Sequence, residues 1–418
     1  MGGVILGDWT HRRGDAGGTR ALAADVAGAR PRVAWTWSPP HGGRVDQVRV
    51  AGEHVYVATL APPDPAAVGW EHAVVYALDV RGTVVAQRTL ADPAPVAAMV
   101  IEGRALHLVA TRPGEPVFWY ALATPDLVPL HRRIADLGRD SRHADVLDAL
   151  ASPDGGLWLE IEASRRSWSF LPAAPTDPST HVVDAGGPPA PGQPRDACAA
   201  GRALLVPWRS GGWPSLRRLD ARLADAEPED REWMRTDVEG DGALHVVFAH
   251  GAAVAVALAG PPQHLEVQVV SVDGVTGVER VRSQPQRGLV RELGVGGQVV
   301  RRANGELVLQ RFGQDGAPCS DLVCARPDGS LTSFKLGASR PYRLALALGD
   351  ALVAHRSPRP GRVIVAAFAV VQDGAWLGRR TSPLWSLELP SPGDAPTVYA
   401  GAGHVFVRSP EGLTAIRM

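Results

Sequence analysis

One short segment occurs twice, 350 residues apart: Gly52-Glu53-His54-Val55-Tyr56-Val57-Ala58-Thr59 is echoed by Ala402-Gly403-His404-Val405-Phe406-Val407-Arg408-Ser409. Self-similarity at a long spacing marks repeat architectures, so it constrains the fold before any single residue is interpreted. Between the copies, a Gly followed two or three residues later by an apolar-x-apolar triplet keeps returning. The triplets begin at Val55, Leu106, Leu157, Leu204, Leu244, Leu307, Leu352 and Val405, at intervals of 51, 51, 47, 40, 63, 45 and 53. The intervals average 50, so eight units fit. Seven is the alternative, because the short fourth and long fifth intervals leave the boundary near Leu244 open.

Within a unit the pattern reads as four short strands. In the first, Val45 to Val50 alternates, Gly52-Glu53 turns, and Val55 to Thr59 alternates; Val74 to Val80, the Arg81-Gly82 turn and Val84 to Leu90 follow. Period-2 alternation broken by Gly-containing turns is the signature of an antiparallel meander. Further outer hairpins are expected around Asp273-Gly274 and Asp328-Gly329, since Asp-Gly tolerates the positive φ of tight turns. Helical periodicity is weak, with Asp220 to Met234 the best candidate, an insertion between units. The Pro/Gly-rich stretch from Pro172 to Pro194 reads as a long exposed connection.

Four-stranded units of this length, repeated four to eight times, make a β-propeller, in which radial stacking protects sheet edges. The expected fold is all-β: a single propeller of eight four-stranded blades. The last unit stops one strand short after Thr397 to Tyr399, Val405 to Val407 and Leu413 to Ile416. Val33-Ala34-Trp35-Thr36-Trp37 supplies the missing strand and closes the ring. Residues 1–43 are then the lead-in and closing strand, 44–394 seven complete blades, and 395–418 the last blade, all one domain.

The opening Gly7-Asp8-Trp9-Thr10-His11-Arg12-Arg13-Gly14-Asp15-Ala16-Gly17-Gly18-Thr19, followed by Val33-Ala34-Trp35, resembles the start of PQQ-like repeat β-propellers. Val55-Tyr56-Val57 through Tyr76-Ala77-Leu78-Asp79, and Gly412-Leu413-Thr414-Ala415-Ile416, resemble that family's repeat. The resemblance covers about a quarter of the chain, at its two ends, and gives way to periodicity in the middle. It implies a fold shared by quinoprotein dehydrogenases and by cofactor-free scaffolds such as the outer-membrane assembly propeller lipoprotein. In the enzymes a quinone lies against a Trp in the ring centre, beside an adjacent Cys-Cys pair and a Ca²⁺ held by carboxylate and amide oxygens. This chain has no adjacent cysteines, and no Asp-rich loop supplies the six to eight oxygens that calcium takes. A Trp at the close of a blade is present only as Trp35 or Trp37. No cofactor and no metal are therefore expected. The lipidated cysteine of the scaffold lipoprotein is also missing, so its specific role does not transfer.

A net charge of -1 argues against a nucleic-acid partner, because neutralising phosphates takes a basic excess. Lys335 is the sole lysine among 43 basic residues, a bias that most simply reflects GC-rich coding rather than phosphate recognition. Three cysteines, Cys198, Cys319 and Cys324, make no disulfide framework in a chain this long. Cys319 and Cys324 are near enough in sequence for a bridge to be considered; reduced thiols are the expectation. The first residues lack a basic n-region and an apolar core, and no run of about 20 apolar residues occurs. The expectation is a cytoplasmic protein without membrane contact.

A G-x-S-x-G elbow, H-E-x-x-H and a P-loop are all absent. His54 and His404 occupy equivalent repeat positions, which points to packing or a turn. One constellation recurs at or just before the innermost strands: Arg44-Val45-Asp46, Arg142-His143-Ala144-Asp145, Arg195-Asp196, Arg235-Thr236-Asp237 and Arg291-Glu292. Each places a base and an acid where a blade would meet one mouth of the ring. The structural reading is that the acids cap turns or pair with the Arg of a neighbouring blade; the functional one is a polar funnel for a charged segment of a partner. Trp208, Trp213 and Trp233 read as lying in or beside loops, while Trp158 on an alternating strand reads as core. Trp supplies large rigid area at interfaces. Together these point to a non-catalytic scaffold that binds a protein partner through one mouth and the Trp-bearing loops. The alternative is a small-ligand, saccharide-binding or quinoprotein-like enzyme working in the channel.

Overall fold

A computed structural model describes the chain except at residues 1–4, 7–9, 12–13, 15–19, 25, 27, 41, 61–71, 113, 136–144, 153–155, 163–165, 174–180, 185–196, 201–202, 211, 221–231, 240–242, 260–264, 290–295, 314–316, 337–340, 370–379 and 392–395. The described residues form strands and turns and no helix, hence none long and apolar enough to cross a membrane. Eight antiparallel sheets follow one another as blades, each built on four strands. Their innermost strands, from blade 1 to blade 8, are Arg44–Ala51, Val96–Glu102, Asp145–Ala151, Cys198–Ala200, Ala243–Ala249, Gly296–Arg301, Arg343–Leu348 and Thr397–Gly401. Each touches the next and the eighth touches the first, which closes an eight-bladed ring.

Burial explains which strands carry apolar residues and in what pattern. In blade 1 the second strand, His54–Leu60, is buried on both faces from Val55 to Thr59, because neighbouring blades stack on either side. Its outermost strand, Val84–Thr89, is mostly exposed. A strand buried on both faces reads as a continuous apolar run, and these second strands generate the recurring triplets. One triplet is an exception. Leu244 lies in the innermost strand of blade 5, and the second strand of that blade is Ala252–Ala259. Counting from Ala253 turns the irregular intervals of 40 and 63 into 49 and 54. Gly242, two residues before Leu244, imitates the turn glycine, whereas the real turn has Gly251 at φ +72°.

Three other expectations change. Asp220 closes the strand Trp213–Asp220 and Met234 lies in the strand Glu232–Arg235, the outermost of blade 4, so the helix expected from Asp220 to Met234 is strand at both ends; residues 221–231 lie outside the described ones. The connection from Pro172 to Pro194 contains the outermost strand of blade 3, His181–Asp184. The blade 5 hairpin turns at Gly277, at φ +70°, rather than at Gly274, because Asp273 accepts from Val275 N and Thr276 N at 2.9 Å and lengthens the turn. Gly329, at φ +84°, does serve the blade 6 hairpin.

The ring closes as the incomplete last unit requires. Arg32–Trp37 pairs antiparallel with Gly412–Arg417, setting Trp35 opposite Ala415 and Trp37 opposite Leu413. His54 and His404 do serve the frame: each begins the second strand of its blade and stacks on the aromatic two residues on, His54 on Tyr56 at 6.3 Å and His404 on Phe406 at 5.8 Å.

The lead-in does more than supply that strand. Ala21–Ala24 lies inward of the innermost strand of blade 7 and runs parallel to it, with Ile5–Leu6 paired to it in turn. Gly349 N donates to Leu22 O at 2.9 Å, and a Cβ on Gly349 would collide with Ala24 O. Across the ring, Thr10 O accepts from Ile101 N at 3.0 Å and the buried His11 accepts from Ala151 N through Nε2 at 3.2 Å. All three contacts fall where innermost strands end. The N-terminal arm therefore reaches inside the ring at this trailing face and leaves the leading face, where innermost strands begin, to other residues.

Three of the seams between blades share a construction. The outermost strand of one blade sets a side chain against the hairpin glycine of the next. Trp35 of blade 8 packs on Gly82 of blade 1, where a Cβ would sit 2.7 Å from the indole, and donates Nε1–H to Val80 O at 2.8 Å. Trp233 of blade 4 packs on Gly277 of blade 5 in the same way, and Val281 of blade 5 faces Gly329 of blade 6. The seam between blades 6 and 7 adds buried polar groups. Gln310 donates to Tyr342 O at 2.6 Å and accepts from Leu344 N at 2.6 Å, while Arg302 pairs with Glu306 and donates to Asp350 O at 3.1 Å.

Candidate interaction site

The recurring base and acid pairs were expected at the leading face, and those described do begin there, but two of them stitch blades together. Arg44 donates to Asp46 at 2.9 Å at the start of blade 1, and the Asp46 carbonyl accepts from Arg408 of blade 8. Val45 N donates to Pro410 O at 2.8 Å, and Gln47 reaches Ala97 O of blade 2 at 3.1 Å. Asp237 sits on the link from blade 4 to blade 5. Its N–H donates to Gln268 Oε1 at 2.8 Å, its carboxylate accepts from Gln268 Nε2 at 2.6 Å, and Arg282 pairs with it at 2.9 Å. The Gln268 bond, with the Arg282 guanidinium, holds the Asp237 carboxyl below the usual carboxylate range against a smaller burial effect. Asp145 is exposed at the start of blade 3. Arg142, His143, Arg195, Asp196, Arg291 and Glu292 lie outside the described residues.

Arg235 is not beside an innermost strand. It ends the outermost strand of blade 4, exposed, and its place there draws it to the tryptophans. All three lie in strands, Trp208 and Trp213 beside the hairpin turn between them. Trp208 belongs to Ala203–Ser210, Trp213 begins Trp213–Asp220, and Trp233 belongs to Glu232–Arg235. The hairpin pairs Ser210 with Trp213 and Trp208 with Ser215, so both indoles flank its tip at the leading face. Thr236 ties the strand end back to the hairpin, donating from N at 3.0 Å and from Oγ1 at 2.8 Å to Pro214 O.

Each indole is capped by an arginine of its own blade. The Arg217 guanidinium lies 3.6 Å from the Trp208 ring centre and that of Arg235 4.2 Å from the Trp213 ring centre. Arg218 lies 5.4 Å from Trp233, which is committed to the seam. A cation over an indole face is attracted by the ring quadrupole, by about 0.5–2 kcal/mol according to how dry the site is. Trp208 and Trp213 are half-buried, so their rings are held on a sheet while part of each faces solvent. The sequence carried the signal in the alternation of Trp208 with Val206 and of Arg217 with Ser215, which makes these strand residues with defined faces.

The three thiols lie apart from one another. Cys198 is in blade 4, and Cys319 and Cys324 share one strand of blade 6, Pro318–Ala325. Five residues of extended strand separate the last two by about 16 Å, far beyond the 4.4–6.8 Å between Cα atoms of a disulfide. None of the three is in a disulfide and all are buried, and burial, helped by Glu306, pushes the Cys324 thiol up to about 12. Among the described residues no three His, Cys, Asp or Glu side chains could hold a metal ion.

No protein-family model matches the sequence, and no curated protein matches it either. Solved structures do share its shape. A europium-containing methanol dehydrogenase is similar over 97% of this chain and 90% of its own, with a TM-score of 0.53 at 12% identity. The quinohemoprotein alcohol dehydrogenase from Comamonas testosteroni is similar over 98% of this chain and 80% of its own, with a TM-score of 0.55 at 12% identity. Identity this low speaks for fold alone. The chain therefore has the eight-bladed fold of the PQQ-like β-propellers, built without the paired cysteines of their quinone site.

Proposed function

We propose that the protein is a non-catalytic interaction scaffold that takes a protein partner on the leading face of blade 4. The observation that carries this reading is the pair of arginine-capped tryptophans, Trp208 with Arg217 and Trp213 with Arg235, fixed at a hairpin tip. Trp and Arg are enriched at interface hot spots, Trp for its large rigid area and Arg for its planar fork of donors. Here the guanidinium packed over each indole holds both side chains in place, which favours affinity through preorganisation. The exposed Arg235 suits a partner segment that brings an acidic group beside an apolar one.

The test is the double variant Trp213→Ala with Arg235→Ala, purified from native cells beside the unaltered full chain. The stoichiometric partner of the unaltered chain is expected to be lost from the variant by at least tenfold, while the variant, altered at the rim of one blade, still unfolds in a single cooperative transition. A partner retained in full by the folded double variant overturns the reading.

A further inference from the structure

The seam between blades 5 and 6 departs from the two seams that tryptophan closes. Trp35 fills the outer part of the seam between blades 8 and 1, and Trp233 that between blades 4 and 5; the matching position holds Val281. An isopropyl group stands in the place of an indole, and a cavity of about 190 Å³ lies beside it, open at the trailing face. Val281 forms one wall, with Val254, Val269 and Leu307 beneath it. Small residues keep its mouth wide: Ala249 and Ala252 flank the first turn of blade 5, and Gly305, at φ +87°, shapes that of blade 6.

Chemistry distinguishes this gap from a packing defect. Its lining includes Arg280, Arg301 and Arg326 and contains no carboxylate. Arg280 pairs with Asp273 and Arg326 with Glu306 at 3.2 Å, both acids lying outside the lining. A guanidinium has five donors, so one ion pair leaves others for a second acceptor. The floor is apolar and the rim cationic, which matches an amphipathic anion and opposes a cation. Its volume is below the roughly 300–1,000 Å³ of sites for drug-sized ligands, so one compact ring system fills it.

We propose that this cleft is a binding site for a small aromatic carboxylate. The ring rests on the apolar floor beside Val281, and the carboxylate bonds to the arginine rim. The site is separate from the blade 4 face and stands whether or not that face binds a partner.

Titration calorimetry of the full chain with indole-3-acetate tests it, with indole-3-acetamide, tryptamine and acetate as companion probes. Indole-3-acetate is expected to bind, the amide at least tenfold more weakly, and tryptamine and acetate weaker still. Val281→Trp fills the cleft from within and is expected to weaken indole-3-acetate at least tenfold while raising the melting temperature. Arg301→Gln is expected to weaken it about tenfold and to leave the amide unchanged. Equal binding of acid and amide, no binding of the acid at millimolar concentration, or undiminished binding by a folded Val281→Trp variant overturns the proposal. Should Val281→Trp not fold, Arg301→Gln decides alone: unchanged acid binding overturns the site.

Discussion

The seam that closes the ring and the seam between blades 5 and 6 are assembled from the same parts, with one exchanged. In both, an outermost strand lays a side chain on a left-handed hairpin glycine of the next blade, Trp35 on Gly82 in one and Val281 on Gly329 in the other. The indole fills the seam and adds a hydrogen bond to Val80 O; the isopropyl group stands beside a cavity with a cationic rim. The difference teaches that blade stacking fixes the position of a contact but not its size. A ring seam tolerates a small residue where both blades are continuous chain. The closing seam has to hold the two ends of the chain together.

Truncation should expose that asymmetry most. Trp35→Ala removes a half-buried indole, its hydrogen bond and the main contact across the closing seam, and should cost about 3 kcal/mol. Val281→Ala removes two methyl groups from a seam that already has a void, and should cost about 1 kcal/mol. Equilibrium unfolding in guanidinium chloride measures both. Equal losses would mean that the closing seam carries no special load.

A third kind of seam is sensitive to protons rather than to size. His355 faces Arg343 across a strand pair beside the seam between blades 6 and 7, and burial, with that guanidinium, pushes its pKa down to about 4. In blade 2, burial and the neighbouring His131 push His107 down to about 4 as well, while its Nδ1 accepts from Trp119 Nε1 at 3.1 Å. Both are neutral when folded and titrate near 6.5 when unfolded. The unfolded chain therefore binds more protons between pH 6.5 and 4, and stability falls as pH drops through that window. Linkage sets the slope at no more than about 1.4 kcal/mol per pH unit for each group. Carboxylates such as Asp237 and Asp273, held low by their partners, lose their contribution only below about 4 and stay out of the window. Unfolding at pH 7 and pH 5 should show the decline, and His107→Gln, whose amide oxygen can still accept from Trp119, should reduce it. A flat profile would sink the assignment of both histidines as buried and neutral.

The closing seam was legible because its parts are regular. Val33 to Trp37 alternates, and it pairs with the last strand of blade 8 as the repeat count requires. The blade 5 boundary was obscured by composition. Ala252–Ala259 is so rich in alanine that its triplet is faint, whereas Gly242 before Leu244 presents a convincing false turn. The outermost strand of blade 4 spans only four residues, too few for alternation to outweigh the helix-forming residues around it. The place of the N-terminal arm inside the ring was not legible, because its contacts to blades 2 and 7 are backbone bonds, and the one His11 side-chain bond to blade 3 leaves no repeating pattern. The cleft was legible only in comparison. Placed against the hairpin glycine that each faces in the next blade, the outermost strands show Val281 where Trp35 and Trp233 stand, but the void also needs the small residues Ala249, Ala252 and Gly305 from two other turns.

The smallest expected effects separate the contact at Gly82 from the conformation it shares with other turn glycines. Gly52 and Gly82 both lie in blade 1 with positive φ, +58° and +82°. A Cβ at Gly52 meets nothing within 4 Å, while one at Gly82 meets three atoms of the Trp35 ring between 2.7 and 3.0 Å. Alanine at either position incurs the left-handed penalty of about 1 kcal/mol. At Gly82 it must also push the indole outward, which weakens the Val80 hydrogen bond and raises the total to about 2 kcal/mol. In the Trp35→Ala background the obstacle is gone, so the cost of Gly82→Ala should fall back toward that of Gly52→Ala. A double-mutant cycle with coupling near zero would mean that Trp35 and Gly82 are neighbours without being partners, and the closing seam would then depend on the strand pairing of Arg32–Trp37 with Gly412–Arg417 alone.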